Sequence, residues 1–138
     1  KQWSEKMNTH DEIMRNTIES FNGKLVKNTG DGVLAVFDGP ARSIESAMSS
    51  IEKLNEIELK IRCSLHVGEV VWRNDDITGI AVNIAARALE KCQSNTVIIT
   101  KNLKDLLGRT KFSVTSMGNY SLKGLEGDWE LFEVENHQ

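Results

Sequence analysis

Apolar positions recur at three- and four-residue intervals over the first twenty residues: Trp3, Met7, Met14 and Phe21, with His10 and Thr17 on the same line and Ile13 and Ile18 beside it. That period predicts one long amphipathic helix, closed by Asn22-Gly23 in the manner of a glycine cap. His10 on such a stripe reads as a packed or boundary residue rather than a ligand. The pattern then changes. Gly23 to Phe37, GKLVKNTGDGVLAVF, is rich in Val, Leu and Phe and predicts two strands joined at Gly30-Asp31-Gly32. Asp38-Gly39-Pro40 opens a second helix, with the only proline of the chain where a first helical turn accepts it. Ile44, Ala47, Met48, Ile51 and Leu54 are expected to carry its buried face, with Glu45 and Glu52 in solvent.

Leu59 to Arg73, LKIRCSLHVGEVVWR, predicts one long strand, or a strand pair bending at Gly68, broken by Asn74-Asp75-Asp76. A third helix, GIAVNIAARALEKC, starts at Gly79, and its Ala81, Ala85, Ala86 and Ala88 are short enough to let it lie close to a neighbouring backbone. NTVIIT is a strand, and Thr100 is expected to cap a short helix that ends at Gly108. KFSVTSMGNYSL and WELFEVE close the chain as strands around the loop Lys123 to Gly127. Helix, two strands, helix, strand, helix, strand, helix, two strands suggests an α+β sandwich with helices over a mainly antiparallel sheet.

The 138 residues fit a single domain, 1–138, long enough to bury a real core. A net charge of −3 without a basic block argues against nucleic acid or an anionic membrane as a partner. Cys63 and Cys92 lack C-x-x-C spacing and read as reduced packing residues. No apolar run nears the ~20 residues of a membrane span, so no membrane contact and a cytoplasmic location are expected.

Four polar features occupy places that scaffold does not require. Asp31 at the hairpin tip is an oxygen donor of the kind Mg²⁺ takes beside substrate phosphates, or simply the acid of a common Asp-Gly turn. Asn83 and Arg87, spaced i and i+4, share one face of the third helix, which is either solvent-exposed or lines a polar site. Asp76 lies ahead of that helix and reads equally as a capping carboxylate. Lys123, in a glycine-containing loop, is a site cation or an ordinary turn lysine.

Together the segments VKNTGDGVLAVFDGPARSI, IRCSLHVGEV, DDITGIAVNIAAR and LKGLEGDWELFEV resemble, in order and over nearly the whole chain, the class III nucleotidyl cyclase catalytic domain. The third segment is similar to the family pattern D-x-x-G-x-x-V-N-x-A-x-R, and the FDGPA and LKG stretches resemble bacterial adenylate-cyclase-like domains. The resemblance implies a ferredoxin-like α+β sandwich and a reaction that converts ATP to 3′,5′-cyclic AMP and pyrophosphate. It implies a second copy of the chain as partner, in a head-to-tail homodimer, and Mg²⁺ or Mn²⁺, two ions per complete site. By position it makes Asp31 one of two metal aspartates, Lys27 and Asp76 the pair that reads the purine, and Lys123 a triphosphate contact. Asn83 and Arg87 become the residues that orient the ribose and stabilise the transition state. Lys27 as donor and Asp76 as acceptor match the N1 and amino group of adenine, whereas guanine inverts that pattern.

The chain departs from the family pattern at two places. The first strand, with its metal aspartate in a D-I-x-G-[ST]-T-like segment, would precede Lys1, so the expectation is an N-terminally truncated fragment carrying half a metal site. Ser64 stands where the family usually has Gly. The absent strand motivates an alternative, a non-catalytic cyclase-like module that binds nucleotide or dimerises to regulate an attached domain. A diguanylate cyclase is disfavoured, because its G-G-[DE]-E-F turn does not occur.

Overall fold

The computed structural model describes residues 2–29 and 32–136, with four helices and eight strands among them. They fall into two compact units, Lys1–Ile61 and Arg62–Gln138. The expected α+β architecture with mainly antiparallel pairing is what the chain adopts.

In the first unit, helix α1 (Gln2–Ser20) buries His10, Met14, Thr17 and Ile18, as its stripe predicts; the side chain of Trp3 lies outside the described residues. The helix ends differently from expectation. Asn22, not the glycine, takes the left-handed conformation (φ 62°). The Asn22 and Gly23 amides donate to the Glu19 and Ile18 carbonyls at 3.0 and 2.9 Å, which is a Schellman closure. Strands β1 (Lys24–Asn28) and β2 (Val33–Val36) form the predicted antiparallel hairpin, with a bulge between Leu25 and Lys27. Helix α2 (Pro40–Asn55) buries Ile44, Ala47 and Leu54 but also Ser43, Ser46 and Ser50. Hydrophobic patterning misses such serines because a hydroxyl can bond its own helix, as Ser43 Oγ does to the Pro40 carbonyl at 2.7 Å. Glu45, expected in solvent, is partly buried and has a partner. Met14, Ile18 and Leu54 form the centre of this unit's core, with Leu25, Val33 and Phe37 packed on it.

Of the Leu59–Arg73 stretch, Leu59–Ile61 ends the first unit, and the remainder, in the second, forms the strand-pair alternative, with its two strands in different sheets. Strand β3 (Cys63–Leu65) joins a four-stranded sheet, ordered β3-β6-β8-β7, with β6 (Val97–Thr100), β7 (Phe112–Ser121) and β8 (Asp128–Asn136). The β3–β6 pairing is parallel and the other two are antiparallel. Strand β4 (Val71–Arg73) instead pairs with β5 (Asp76–Thr78) as a tight hairpin. Asn74 and Asp75 (φ 50° and 67°) supply its turn, so the polar run expected to break a strand joins two of them.

Helix α3 (Ile80–Leu89) follows and stops three residues before Cys92. Helix α4 (Lys101–Leu106) starts after Thr100, but Thr100 makes no side-chain cap. Its hydroxyl pairs with His66 Nδ1 at 2.7 Å instead. The core of this unit gathers Ala88, Cys92, Ile98, Leu122 and Leu131.

Candidate functional site

Helix α3 is presented by its small residues. Ala81, Ile84 and Ala88 are buried, which is one face at i, i+3 and i+7. A Cβ at Gly68 would lie 2.7 Å from Cβ of Ala81, so the chain after β3 can pass this helix only as glycine. Ser64 Oγ donates to the Ala85 carbonyl, tying β3 to the middle of the helix. The residue that departs from the family's usual Gly is therefore a tether. Gly79 begins the helix at φ 134° and ψ 164°, a region open in practice to glycine alone.

With that face committed to the core, Asn83 is exposed and Arg87 is partly so. Arg87 Nη1 donates to Glu90 Oε2 at 2.8 Å. Lys123 comes from the β7–β8 connection. There the Leu125 amide closes a turn on the Leu122 carbonyl at 3.0 Å, with Gly124 at φ 81°. Leu122 is fully buried in the core and Leu125 packs against it, so the turn that carries the exposed Lys123 is anchored on both sides.

These elements border a half-open cavity of about 260 Å³ lined by Asn83, Ala86, Arg87, Lys123, Gly124 and Leu125. Two cations and a side-chain amide share its wall. A planar guanidinium beside an ammonium is suited to phosphoryl oxygens, and an amide can fix a hydroxyl as donor or acceptor. Ala86, expected to pack against a neighbouring backbone, is instead exposed on the cavity wall. Leu125 and Glu90 were not singled out by sequence, although Glu90 left a trace there as an opposite charge three residues after Arg87.

Asp76 does not cap α3. It lies in β5 and its Oδ1 accepts from the Ile77 amide at 2.7 Å, while the cap position belongs to Gly79. Lys27 is exposed on β1, opposite Leu34, and belongs to the first unit, whereas Asp76, Asn83, Arg87 and Lys123 belong to the second. Asp31 lies outside the described residues. Among the described residues no three His, Cys, Asp or Glu side chains converge on a point that would hold a metal ion.

The two cysteines are free thiols. Burial, and then the neighbouring Cys92, push Cys63 up to about 12. Burial also raises Cys92, whose Sγ is 3.0 Å from Thr96 Oγ1. Both are protonated packing groups at neutral pH. Among the described residues no helix is long and apolar enough to cross a membrane.

Comparison with known proteins gives a consistent result. An uncharacterised protein of Mycobacterium tuberculosis is 27% identical over 129 residues, covering 92% of this chain and 34% of that protein. The adenylate cyclase of Glutamicibacter nicotianae is 32% identical over 117 residues, covering 81% of this chain and 28% of that protein. The chain thus spans about a third or less of the length of the curated relatives it matches. Among solved structures, an adenylate cyclase of Trypanosoma brucei, solved in its monomeric state, superposes with a TM-score of 0.85 at 17% identity. That match covers 98% of this chain and 79% of the other, a likeness of fold. The family described as adenylate and guanylate cyclase catalytic domain matches residues 1–136, and the chain belongs to it.

Proposed function

We propose that the protein is an adenylate cyclase that closes the 3′-hydroxyl of ATP onto its α-phosphate, releasing pyrophosphate, at sites shared by two copies in a head-to-tail homodimer. The observation that carries this reading is that Asn83, Arg87 and Lys123 share the wall of one cavity. In the reaction the O3′–P bond forms, the bond from the α-phosphorus to the bridging oxygen of pyrophosphate breaks, and the hydroxyl loses its proton. Negative charge grows on the α-phosphoryl oxygens, where the permanently charged fork of Arg87 stabilises it. Asn83 orients the ribose and Lys123 holds the triphosphate. Lys27 donates to adenine N1, and Asp76 accepts from the adenine amino group. Sequence relatives named adenylate cyclases support the choice of ATP.

Mg²⁺ or Mn²⁺ enters this proposal through Asp31 and the family resemblance. Two ions, when bound, supply a more acidic hydroxyl and a neutralised leaving group. In the dimer Asp31 of one copy would act with Lys27, Asp76, Asn83, Arg87 and Lys123 of the other.

The test uses the full-length protein with ATP and Mn²⁺. Cyclic AMP is expected, and Arg87→Ala should lower turnover by about 10²-fold or more with folding intact. No cyclic AMP at any protein concentration would end the reading. ATP binding without turnover would leave a cyclase-like module that binds nucleotide to regulate an attached domain.

A further inference from the structure

Arg87 lines the cavity, but the carboxylate that holds it does not: Glu90 is absent from the cavity wall, although its Oε2 lies 2.8 Å from Arg87 Nη1. Glu90 is the C-cap residue of α3, with helical backbone (φ −63°, ψ −19°) and an amide bonded back to the Arg87 and Ala88 carbonyls. A carboxylate there faces the negative end of the helix dipole, where an acid is unfavourable. Its order relative to the cation, acid after base, is also the weaker arrangement for an intrahelical pair. Both side chains are about half exposed, at 41% and 48%, so the pair adds little to stability. Helix stability therefore does not account for a glutamate at this position.

We propose that Glu90 is a positioning residue for Arg87. It holds Nη1 from outside the cavity and leaves the other N–H groups of the guanidinium to meet the phosphoryl oxygens inside. A guanidinium carries five donors in a rigid fork, so one bond restrains it without using up its capacity. The inference rests on the role given to Arg87 above. Without Glu90, substrate must order a free arginine in each turnover, which corresponds to a loss of about three- to tenfold.

In the full-length protein, Glu90→Ala should lower kcat by about three- to tenfold and leave KM within about twofold. Glu90→Gln keeps an acceptor oxygen and should retain half or more of the turnover. In an Arg87→Ala background, Glu90→Ala should cost nothing further, because its effect passes through Arg87. An unchanged or raised kcat overturns the proposal, and so does an equal loss in both backgrounds, which would mark a purely structural role. A second readout does not depend on turnover. With ¹⁵N-arginine labelling, the Arg87 Nε–H order parameter should fall below about 0.6 in Glu90→Ala and stay near wild type in Glu90→Gln. If wild-type protein makes no cyclic AMP, the adenylate cyclase reading fails. The order parameter then still decides whether Glu90 holds Arg87, and equal mobility in wild type and Glu90→Ala refutes the proposal.

Discussion

His66 follows β3 and joins residues that the sequence does not place together. Its Nδ1 pairs with Thr100 Oγ1 at 2.7 Å, and its ring meets Trp129 edge-on, with centroids 6.1 Å apart. Burial lowers its pKa below the ordinary 6.5. In the unfolded chain the imidazole takes a proton near its ordinary value, and in the folded chain only at lower pH. The folded state therefore has its full stability above about pH 6.5 and loses it as pH falls through the folded value, with a slope of at most about 1.4 kcal/mol per pH unit. Urea unfolding between pH 7 and 5 should show this decline, and His66→Gln should flatten part of it. An identical slope in the variant would mean that His66 does not carry the effect. The residue also marks a limit of sequence reading. Thr100 before a helix has every local mark of a cap, yet its hydroxyl is taken by a partner 34 residues away. Ser64 is the same case: its departure from the family was visible, but its bond to the Ala85 carbonyl was not.

Among the elements, α3 was legible in part: its period put Asn83 and Arg87 on one face and its short residues included the buried Ala81 and Ala88, but Ala86 is exposed and the buried Ile84 was not among them. The turn at Lys123-Gly124 was legible too, from a glycine between two apolar strands. For Leu59 to Arg73 the sequence allows one long strand or a strand pair bending at Gly68, and the pair is what forms. Gly68 did not reveal that β3 and β4 belong to different sheets, since that arises from where each finds a partner. Asn74-Asp75 does end β4 as expected, but the return strand from Asp76 was missed, because a left-handed hairpin turn and a polar break use the same residues. The start of α3 gives this scale its prediction. Gly79 has φ 134°, and an added Cβ would lie 3.2 Å from the Glu69 carbonyl. Gly79→Ala should destabilise the protein by about 1–3 kcal/mol. Gly108→Ala is the control, since nothing lies within 4 Å of its added Cβ. That change should be neutral or stabilising by up to about 1 kcal/mol. Chemical denaturation midpoints compare the two, and equal midpoints would remove the argument for strain at the helix start.

At the scale of the whole molecule, the residues named in the proposed function are divided between the compact units, Lys27 in the first and Asp76, Asn83, Arg87 and Lys123 in the second. A single family description spans both, over residues 1–136. Base selection is the property that tests this assignment. Under the proposed function Lys27 as donor and Asp76 as acceptor would be a matched pair for adenine, and either one alone would leave a desolvated polar group facing a base that cannot satisfy it. Lys27→Glu and Asp76→Cys should therefore each lower kcat/KM for ATP without creating a useful GTP activity. The double variant should lower the ATP-to-GTP ratio of kcat/KM by at least about 10²-fold, more than the two single effects combined. Steady-state kinetics with both nucleotides, on the full-length protein and its three variants, decides the matter. If the ratio in the double variant stays at its wild-type value, Lys27 and Asp76 do not read the base, and the adenine assignment falls while the family membership stands.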